Sequence, residues 1–379
     1  MKHRYLVITE LFLPTKGGTA VWFDEVYGRI GGKEIHIVTS DVPGGTEYDA
    51  THANTIHRVS MKRYWWLRPE SLGMYIKLFY CCFRLIFKNK FDAVHAGRVL
   101  PEGLIALLIA KVIRKPVVIY AHGEEITTWR QPGKFKVMSF VYKSVDTVIA
   151  NSEFTKNELL KLGVSNERII LISPGVDVER FKPNLEIGDL KGQLNISGQY
   201  ELILSVGRLS RRKGFDNVIR SLPTLLEKGV DVHYAIIGIG EDKAYLEDIA
   251  AKLKMTKRVH FLGHVSSDDL PRWYNACSVF AMPNREINGD TEGFGMVFLE
   301  AGACGKPVIA GEVGGTGSAV IENETGFRIN GEDPSEVYQA LYQILSSGEL
   351  NTKLGENAHL RVLDMFSWEK VAKKTRALL

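Results

Sequence analysis

The chain has 379 residues, of which 45% are hydrophobic and 24% are charged, and its formal net charge is +4. This length favours two domains over a single core, and the composition excludes a disordered or fibrous protein. The apolar runs are too short to span a membrane, the first residues lack the layout of a signal peptide, and the four cysteines show no disulfide or metal spacing, so we expect reduced thiols in the cytoplasm.

Charge is unevenly distributed along the chain. Residues 1–183 hold 26 Lys and Arg against 18 Asp and Glu, whereas the remainder holds 22 against 26. A basic half joined to a mildly acidic half predicts that the basic half meets an anionic surface or acceptor. We do not expect nucleic acid as this partner, because the chain has no zinc spacing, aromatic sheet signature or basic helix of the known nucleic-acid modules.

The first half alternates β-rich runs with helical stretches, a rhythm typical of a parallel sheet with helices on both faces. The predicted strands are 5–9, 34–39, 55–59, 91–95, 116–122, 147–151 and 168–172. The predicted helices are 21–30, 75–87, 101–113, 135–142 and 153–162.

After a Gly- and Asn-rich segment at 184–199, the same rhythm restarts. Strands are predicted at 201–206, 232–237, 259–262, 279–282, 307–310 and 326–329, and helices at 215–227, 244–253, 267–274, 295–303, 334–345 and 351–365. The fold class is therefore α/β, with two doubly wound Rossmann-like domains at 1–184 and 185–366 and a last helix at 367–379 that crosses back to the first domain. Ligands bind outside the carboxyl ends of such strands, so the predicted site is the cleft between the domains.

Two strand ends in the first half are suited to ligand contact. Gly17 and Gly18 precede a helix, where backbone N–H groups can face a phosphate, although a simple loop is an equal alternative. His122 and Gly123 end the strand at 116–122, a position from which a histidine touches a substrate. The alternative is a histidine with a purely structural role.

The strand at 201–206 leads into a loop with four cations in six positions, from Arg208 to Lys213. An arginine can fork onto two phosphate oxygens while a lysine acts as a point charge, so the loop is predicted to bind a diphosphate. A solvated basic turn is the alternative. The strand at 232–237 leads into Gly238-Ile-Gly240, but Lys243 occupies the place of the third glycine of a dinucleotide motif, which counts against NAD.

The stretch at 282–305 is predicted to be a strand end, an open loop and a buried helix. Gly293 and Gly295 let the backbone approach a ligand, and the N–H groups of the first helical turn can seat oxygen-rich groups. Glu292 and Glu300 lie about two helical turns apart, so they could grip opposite ends of one polyol. The alternative is that Glu292 only caps the helix and Glu300 is solvated. Against this, Glu300 lies in a run otherwise without charge, where a carboxylate needs a partner.

Residues 61–90 hold seven Lys and Arg against one acid, interleaved with Tyr64, Trp65, Trp66, Tyr75, Phe79 and Tyr80. Such a segment is suited to an anionic membrane surface. An ordinary helix that packs its aromatic side chains inward is an equal alternative.

Together these motifs resemble those of the retaining GT-B glycosyltransferases of glycosyltransferase family 4. The matching residues are Gly17-Gly18, His122-Gly123, Gly207-Arg208 with Lys213-Gly214, and Glu292-Gly-Phe-Gly with Glu300, in order over nearly the whole chain. The loop from Asn284 to Gly295 is similar to that of the phosphatidylinositol mannosyltransferase branch, which uses GDP-mannose. One departure follows Gly314-Gly315, where the family usually has Pro-Glu and this chain has Thr316-Gly317, so the loop lacks its usual carboxylate.

The resemblance implies a role for each motif. Arg208 and Lys213 would neutralise the leaving diphosphate, and Gly17 and Gly18 would close on the same phosphates. The sugar would be held by Glu292 and the backbone of the loop residues Gly293, Phe294, Gly295 and Met296. Glu300 would bind the ribose, His122 would contact the sugar near its 6-hydroxyl, and the base would stack near Val265. The catalytic set is then His122, Arg208, Lys213 and Glu292, acting by front-face transfer with retention and without a metal or other cofactor.

The implied reaction moves a hexose, with mannose from GDP-mannose as the first choice, to a lipid-linked or glycan acceptor. The enzyme would be cytoplasmic and peripheral on the inner face of the membrane. The alternatives are a UDP-sugar-dependent transferase, a non-catalytic nucleotide-sugar-binding protein at a membrane, and an epimerase of the same fold. The Arg208–Lys213 and Glu292–Glu300 pairs argue against the epimerase.

Overall fold

The computed structural model describes residues 4–63, 65, 70–190, 192–194, 196 and 198–378. The chain divides into two compact units. One consists of Met1–Pro174 with Trp368–Leu379, and the other of Gly175–Ser367.

The described part of the first unit contains a parallel seven-stranded sheet in the order β3-β2-β1-β4-β5-β6-β7. Its strands are β1 (Tyr5–Ile8), β2 (His36–Ser40), β3 (Thr55–Val59), β4 (Ala93–Ala96), β5 (Val117–Ala121), β6 (Thr147–Ala150) and β7 (Ile169–Leu171). Its helices are α1 (Gly18–Ile30), α2 (Gly45–Thr51), α3 (Leu72–Lys88), α4 (Leu104–Ile113), α5 (Glu124–Thr128), α6 (Pro132–Ser144), α7 (Glu153–Leu162) and, from the end of the chain, α15 (Trp368–Arg376).

The helices of the first unit form two layers, because crossovers between parallel strands are right-handed. The chain runs from β3 through α3 to β4, then through α4 to β5 and through α6 to β6. These three helices lie on one face of the sheet, where α4 packs against both of the others. On the other face α1 packs against α15, and Arg29 of α1 forms a salt bridge of 2.8 Å with Glu369 of α15.

The described part of the second unit contains a parallel six-stranded sheet in the order β10-β9-β8-β11-β12-β13. Its strands are β8 (Glu201–Val206), β9 (Val232–Ile237), β10 (Val259–Gly263), β11 (Val279–Met282), β12 (Val308–Gly311) and β13 (Gly326–Ile329). Its helices are α8 (Phe215–Glu227), α9 (Lys243–Lys252), α10 (Leu270–Ala276), α11 (Met296–Ala303), α12 (Thr316–Ala319), α13 (Pro334–Leu345) and α14 (Gly348–Met365).

The strand order of each sheet reverses once. In the first sheet the reversal lies between β1 and β4, and in the second between β8 and β11. The chain leaves the two strands at such a point in opposite directions, which opens a crevice at their carboxyl ends. The loops that follow β8 and β11 therefore flank the crevice of the second unit.

The predicted fold class is confirmed, since each predicted strand overlaps a strand of the structure. The short helices α2, α5 and α12 were not predicted, because segments such as Gly45-Thr-Glu-Tyr-Asp-Ala-Thr51 carry no apolar periodicity. The structure divides the chain after Pro174, ten residues before the predicted boundary at 184. Residues beyond Pro174 are tied to the second unit, since the Val176 N–H donates to the Phe366 carbonyl at 2.8 Å and Phe181 packs against Tyr274.

The predicted basic and aromatic segment at 61–90 corresponds mostly to α3. Tyr64 and Trp66 of that segment lie outside the described residues. In α3 the side chains of Met74, Leu78, Cys82 and Leu85 are buried, whereas Ile76, Tyr80 and Phe87 are exposed. None of the helices within the described ranges combines the length and the apolar character needed to cross a bilayer.

Candidate functional site

The loops after β8 and β11 are held against each other by backbone contacts. The loop after β8 forms a 3₁₀ turn at Arg211–Lys213 and reaches α8 through Gly214, whose φ is 73°. A side chain at Gly214 would overlap the carbonyl group of Pro283, which follows β11. The Arg285 N–H also donates to the Arg212 carbonyl at 2.8 Å. A residue without a side chain is therefore needed at 214 for the two loops to meet.

Glu292 accepts from two cations of the opposite loop. The Lys213 ammonium lies 2.5 Å and the Arg212 guanidinium 3.0 Å from the same carboxylate oxygen. All three side chains are largely buried. Burial acts to raise the pKa of Glu292, but the charges of Lys213 and Arg212 outweigh it and hold that pKa below the ordinary value of a glutamate. Glu292 is therefore ionised at neutral pH.

A second ion pair joins the same two elements. The guanidinium of Arg285 lies 3.0 Å from both carboxylate oxygens of Asp216 in the first turn of α8, and Asp216 also accepts from the Tyr245 hydroxyl at 3.1 Å. The Asp216 side chain is buried. This buried ion pair, in which one guanidinium nitrogen of Arg285 contacts both oxygens of Asp216, fixes the loop after β11 relative to α8 and so helps to position Glu292 opposite Lys213.

The Gly314-Gly315 loop holds the backbone of Glu292. The Gly315 N–H donates to the Glu292 carbonyl at 2.7 Å. Gly314 has φ of 74°, and a side chain there would overlap that carbonyl and the Thr291 hydroxyl. Thr316 then begins α12 where family 4 usually has Pro-Glu. In this chain the loop therefore holds the backbone of Glu292 and contributes no carboxylate of its own.

Glu300 has a protein partner. It lies in α11, which begins at Met296 directly after Gly295, and its carboxylate accepts from the Tyr274 hydroxyl of α10 at 2.7 Å. Burial raises the pKa of Glu300, although the Tyr274 hydrogen bond and the charge of Arg180 oppose the shift. Its side chain is half-buried rather than solvated, and its partner Tyr274 is not among the partners of Glu292.

The structure does not bring every predicted donor residue to the Glu292 cluster. The Arg208 side chain is 74% exposed and pairs with Glu241 of the loop after β9 at 3.0 Å. Phe294 is buried and packs against Phe366, while Gly293 and Met296 are half-buried. Val265 follows β10 and packs against the core of the second unit.

In the first unit, His122 is held by hydrogen bonds on several sides. Its Nε2 lies 2.9 Å from the Gly97 carbonyl, its backbone N–H donates to Glu125, and its carbonyl accepts from Asn151. Burial lowers the pKa of His122 even though the charge of Glu125 opposes the shift. The ring is therefore neutral at pH 7 with Nε2 as the donor to Gly97. These contacts suffice for a structural role, and the contact of His122 with a sugar stays a prediction.

Gly17 and Gly18 lie at the predicted place. Gly17 precedes the first residue of α1, Gly18, and has φ of 135°. Their contact with phosphate stays a prediction.

Several residues of the site were missed by the sequence reasoning, among them Arg212, Asp216 and Tyr274. Arg212 was counted only as one of four cations, and Tyr274 had no motif around it. A buried carboxylate needs a partner, and this requirement at Glu300 was the one available signal for a group such as Tyr274.

Comparison with known families agrees with this geometry. Residues 17–180 match the family described as Glycosyltransferase Family 4, and residues 186–361 match the one described as Glycosyl transferases group 1. The chain belongs to glycosyltransferase family 4. Over 380 aligned residues this family 4 chain is 27% identical to a GDP-mannose-dependent alpha-(1-6)-phosphatidylinositol monomannoside mannosyltransferase of Mycolicibacterium smegmatis, covering 99% of the chain and 97% of the relative.

Further relatives and solved structures are consistent with this assignment. A GDP-mannose-dependent monoacylated alpha-(1-6)-phosphatidylinositol monomannoside mannosyltransferase of Corynebacterium glutamicum is 28% identical over 78% of each chain. Anabaena HepE in complex with UDP superposes with a TM-score of 0.83 at 20% identity, covering 99% of this chain and 98% of HepE. Sucrose-phosphate synthase of Thermosynechococcus elongatus gives 0.81 at 22% identity, covering 99% and 98%. This family 4 chain is thus a GT-B glycosyltransferase that acts on nucleotide-sugar donors.

Proposed function

We propose that this glycosyltransferase moves mannose from GDP-mannose to a lipid-linked or glycan acceptor with retention of configuration and without a metal ion. The meeting of Lys213 and Arg212 with Glu292 at the crevice of the second sheet carries the proposal, because it places cations for a diphosphate beside a carboxylate for sugar hydroxyls. The choice of mannose is supported by relatives named as GDP-mannose-dependent mannosyltransferases, which match nearly the whole chain.

The charges of the site support this use. In the structure the charges of Lys213 and Arg212 are already balanced by Glu292 and Asp290. A bound diphosphate would pair with Lys213 in place of Glu292, while Arg212 would keep its ion pair with Glu292 and hold that side chain in place. The sugar hydroxyls would then donate to the carboxylate oxygen that Lys213 has left, so diphosphate and sugar would be recognised together.

The proposed transfer needs no group beyond the donor, the acceptor and these side chains. The acceptor oxygen attacks the anomeric carbon from the face that the diphosphate leaves, so the new glycosidic C–O bond forms as the bond to the phosphate oxygen breaks. The acceptor proton passes to that phosphate oxygen. Lys213 and Arg208 would stabilise the negative charge that develops on the leaving GDP. For this, Arg208 would have to give up its ion pair with Glu241 and bind the diphosphate of the donor instead.

The test is release of nucleoside diphosphate from a panel of GDP- and UDP-sugars, with and without extracted membrane lipids. We expect turnover with GDP-mannose, increased by lipid acceptor. Turnover only with a UDP-sugar would overturn the choice of donor. Tight donor binding without release under any condition would support the non-catalytic alternative.

A further inference from the structure

Glu102 is a buried glutamate at the crevice of the first sheet. It lies in the turn at Val99–Gly103, which follows β4, and the whole residue is 1% exposed. The backbone N–H of Glu10, two residues after the end of β1, donates to its Oε1 at 3.0 Å. Because the strand order reverses between β1 and β4, this hydrogen bond crosses the point where the crevice opens.

The other carboxyl oxygen of Glu102 is unpaired. Its Oε2 is buried and has no hydrogen-bond partner within the described part of the chain. A buried carboxylate with an unpaired oxygen costs folding free energy, and an amide or a backbone carbonyl could accept the Glu10 N–H without that cost. The hydrogen bond alone therefore does not explain why an ionisable group stands here. Ionisable groups of this kind in a crevice mark functional positions.

Burial is the main influence on this carboxyl group. It raises the pKa of Glu102 to about 7, although the hydrogen bond from the Glu10 N–H and the charge of Arg98 oppose the shift. The charge of the Glu10 side chain adds to the shift, and the hydroxyls of Tyr75 in α3 and Tyr142 in α6 also interact electrostatically with Glu102. Glu102 therefore changes from neutral to ionised near neutral pH.

Glu102 holds the start of the loop at 10–17. This loop enters α1 at Gly18, so it carries the backbone predicted to contact the donor phosphates. Its middle is anchored separately, since the Leu13 carbonyl accepts from the guanidinium of Arg58 in β3 at 2.7 Å. The hydrogen bond to Glu102 thus sets where the loop leaves the sheet.

The segment that carries Glu102 also contacts the other predicted substrate residue of the first unit. Gly97 lies just before the turn, and its carbonyl accepts from the Nε2 of His122 at 2.9 Å. A side chain at Gly97 would overlap the Thr9 hydroxyl, so this segment and the end of β1 are in close contact. Glu102 therefore lies in the segment that links His122 to the loop at 10–17.

We propose that Glu102 is a positioning residue for the donor, because its carboxylate holds the loop at 10–17 where the N–H groups of Gly17 and Gly18 reach the donor phosphates. The inference rests on the proposed function for its purpose, whereas the hold on the loop needs no donor. A hydrogen bond to an ionised carboxylate is about twice as strong as one to a neutral group. The hold therefore strengthens as pH rises through the pKa of Glu102, about 7.

Two substitutions separate the charge of Glu102 from its hydrogen bond. In Glu102→Gln the side chain still accepts from the Glu10 N–H but cannot ionise, and Glu102→Leu removes the acceptor. Glu158→Gln in α7, whose carboxylate pairs with Lys161 at 2.7 Å, is the control in the same unit.

Hydrogen–deuterium exchange followed by mass spectrometry measures how firmly the loop at 10–17 is held. The comparison is made at about pH 8, above the pKa of Glu102. We expect exchange in this loop to be slowest in the unchanged chain, faster in Glu102→Gln and fastest in Glu102→Leu. The control should exchange as the unchanged chain does.

Donor kinetics measure whether this hold matters for binding. At about pH 8 the KM of Glu102→Gln for the donor should exceed that of the unchanged chain by up to about fivefold, since the neutral amide accepts a weaker hydrogen bond than the carboxylate. At about pH 6 the carboxyl group of the unchanged chain is itself neutral, so the two KM values should agree.

Melting temperatures distinguish a functional group from a structural one. A glutamate in the unfolded chain has a pKa near 4.3, so the raised pKa of Glu102 lowers stability as pH rises from about 4.3 to about 7. The glutamine does not ionise, and the Tm of Glu102→Gln relative to the unchanged chain should therefore rise over this window. Buried histidines titrate in both chains, so their contribution cancels in the difference.

Exchange in the loop that is the same in all variants would overturn the proposal, and so would donor KM values of Glu102→Gln and the unchanged chain that agree at both pH values. A glutamine variant that melts below the unchanged chain by the same margin at every pH would show a purely structural role and would also overturn it. If no donor is turned over, the proposed function fails and the purpose assigned to Glu102 fails with it. Exchange and melting are read without a donor, so a contrary result there contradicts this inference alone.

Discussion

The neighbouring arginines 211 and 212 provide a matched pair that tests how Glu292 is held. Both belong to the same 3₁₀ turn. The Arg212 side chain is 18% exposed and pairs with Glu292 and Asp290, whereas the Arg211 side chain is 47% exposed, pairs with Asp242 and stacks on Tyr245. We expect Arg212→Ala to reduce both stability and turnover, and Arg211→Ala to change neither by much.

The contacts of Arg212 set the expected size of the effect. Arg212→Ala removes a charge-assisted hydrogen bond of 3.0 Å and an ion pair of 3.2 Å. Bonds to charged groups contribute about 1.5–3 kcal/mol to the free energy of unfolding. Lys213 still neutralises Glu292, so the larger loss of an unpaired buried charge does not apply. For Arg211→Ala we expect about 0–1 kcal/mol, because its pair is more exposed.

Thermal unfolding and steady-state kinetics measure the two effects. For a unit of this size, each kcal/mol lowers Tm by about 2–4 °C, so we expect a fall of about 3–12 °C for Arg212→Ala. We also expect kcat to fall at least about tenfold, equivalent to about 1.4 kcal/mol, because Glu292 is no longer held in place. Arg212→Lys should restore part of both losses. Equal Tm and kcat for the two alanine variants would refute the role assigned to Arg212.

Four further outcomes are expected. Arg208→Ala combined with Lys213→Ala should lower kcat by at least about 10²-fold, since the loss of one contact to a developing oxyanion already costs about 2.7–4 kcal/mol. Tyr274→Phe should raise KM for the donor more than it lowers kcat, because Glu300 is predicted to bind ribose and loses its 2.7 Å hydrogen bond. The free energy of unfolding should fall as pH drops from about 6.5 to about 4. Burial lowers the pKa of His57 and of His233 in the folded chain to about 4. In this window the histidines of the unfolded chain therefore take up protons that the folded chain does not. Turnover in the presence of EDTA should equal that without it.

Each of these outcomes has a clear contrary result. If the double variant keeps its turnover, the diphosphate does not bind at the loop after β8. If Tyr274→Phe leaves KM for the donor unchanged, the predicted role of Glu300 in donor binding is contradicted. The pH dependence is followed by chemical unfolding. The fall should be less steep in the variant that combines His57→Gln with His233→Gln, although His95, whose pKa burial lowers to about 3, still contributes to it. A profile equally steep in this variant would contradict the assignment. Loss of activity in EDTA that magnesium restores would contradict the metal-independent proposal.

The sequence predicted the strands and the site loops because their signals are local. Buried parallel strands are continuous apolar runs, and glycines directly before a helix mark the loops, as at Gly17 and Gly295. The structure accordingly places Lys213 on Glu292, a pair 79 positions apart that the motif had put at one site.

What escaped prediction depends on contacts between distant segments. The sequence does not show which of the adjacent Arg211 and Arg212 pairs with Glu292, because Glu292 lies on a different loop that meets theirs only in the fold. Arg208 was expected at the diphosphate, yet in the structure it pairs with Glu241 of a neighbouring loop, a contact that periodicity cannot reveal.

A crystal structure with GDP-mannose bound tests most directly whether the donor lies at the crevice between β8 and β11. The expected result is a diphosphate oxygen within about 3.2 Å of the Lys213 Nζ, with a mannose hydroxyl on Glu292 and Arg212 still paired to it. A diphosphate bound elsewhere, with the Lys213–Glu292 pair intact, would contradict the assignment of donor site and mechanism together.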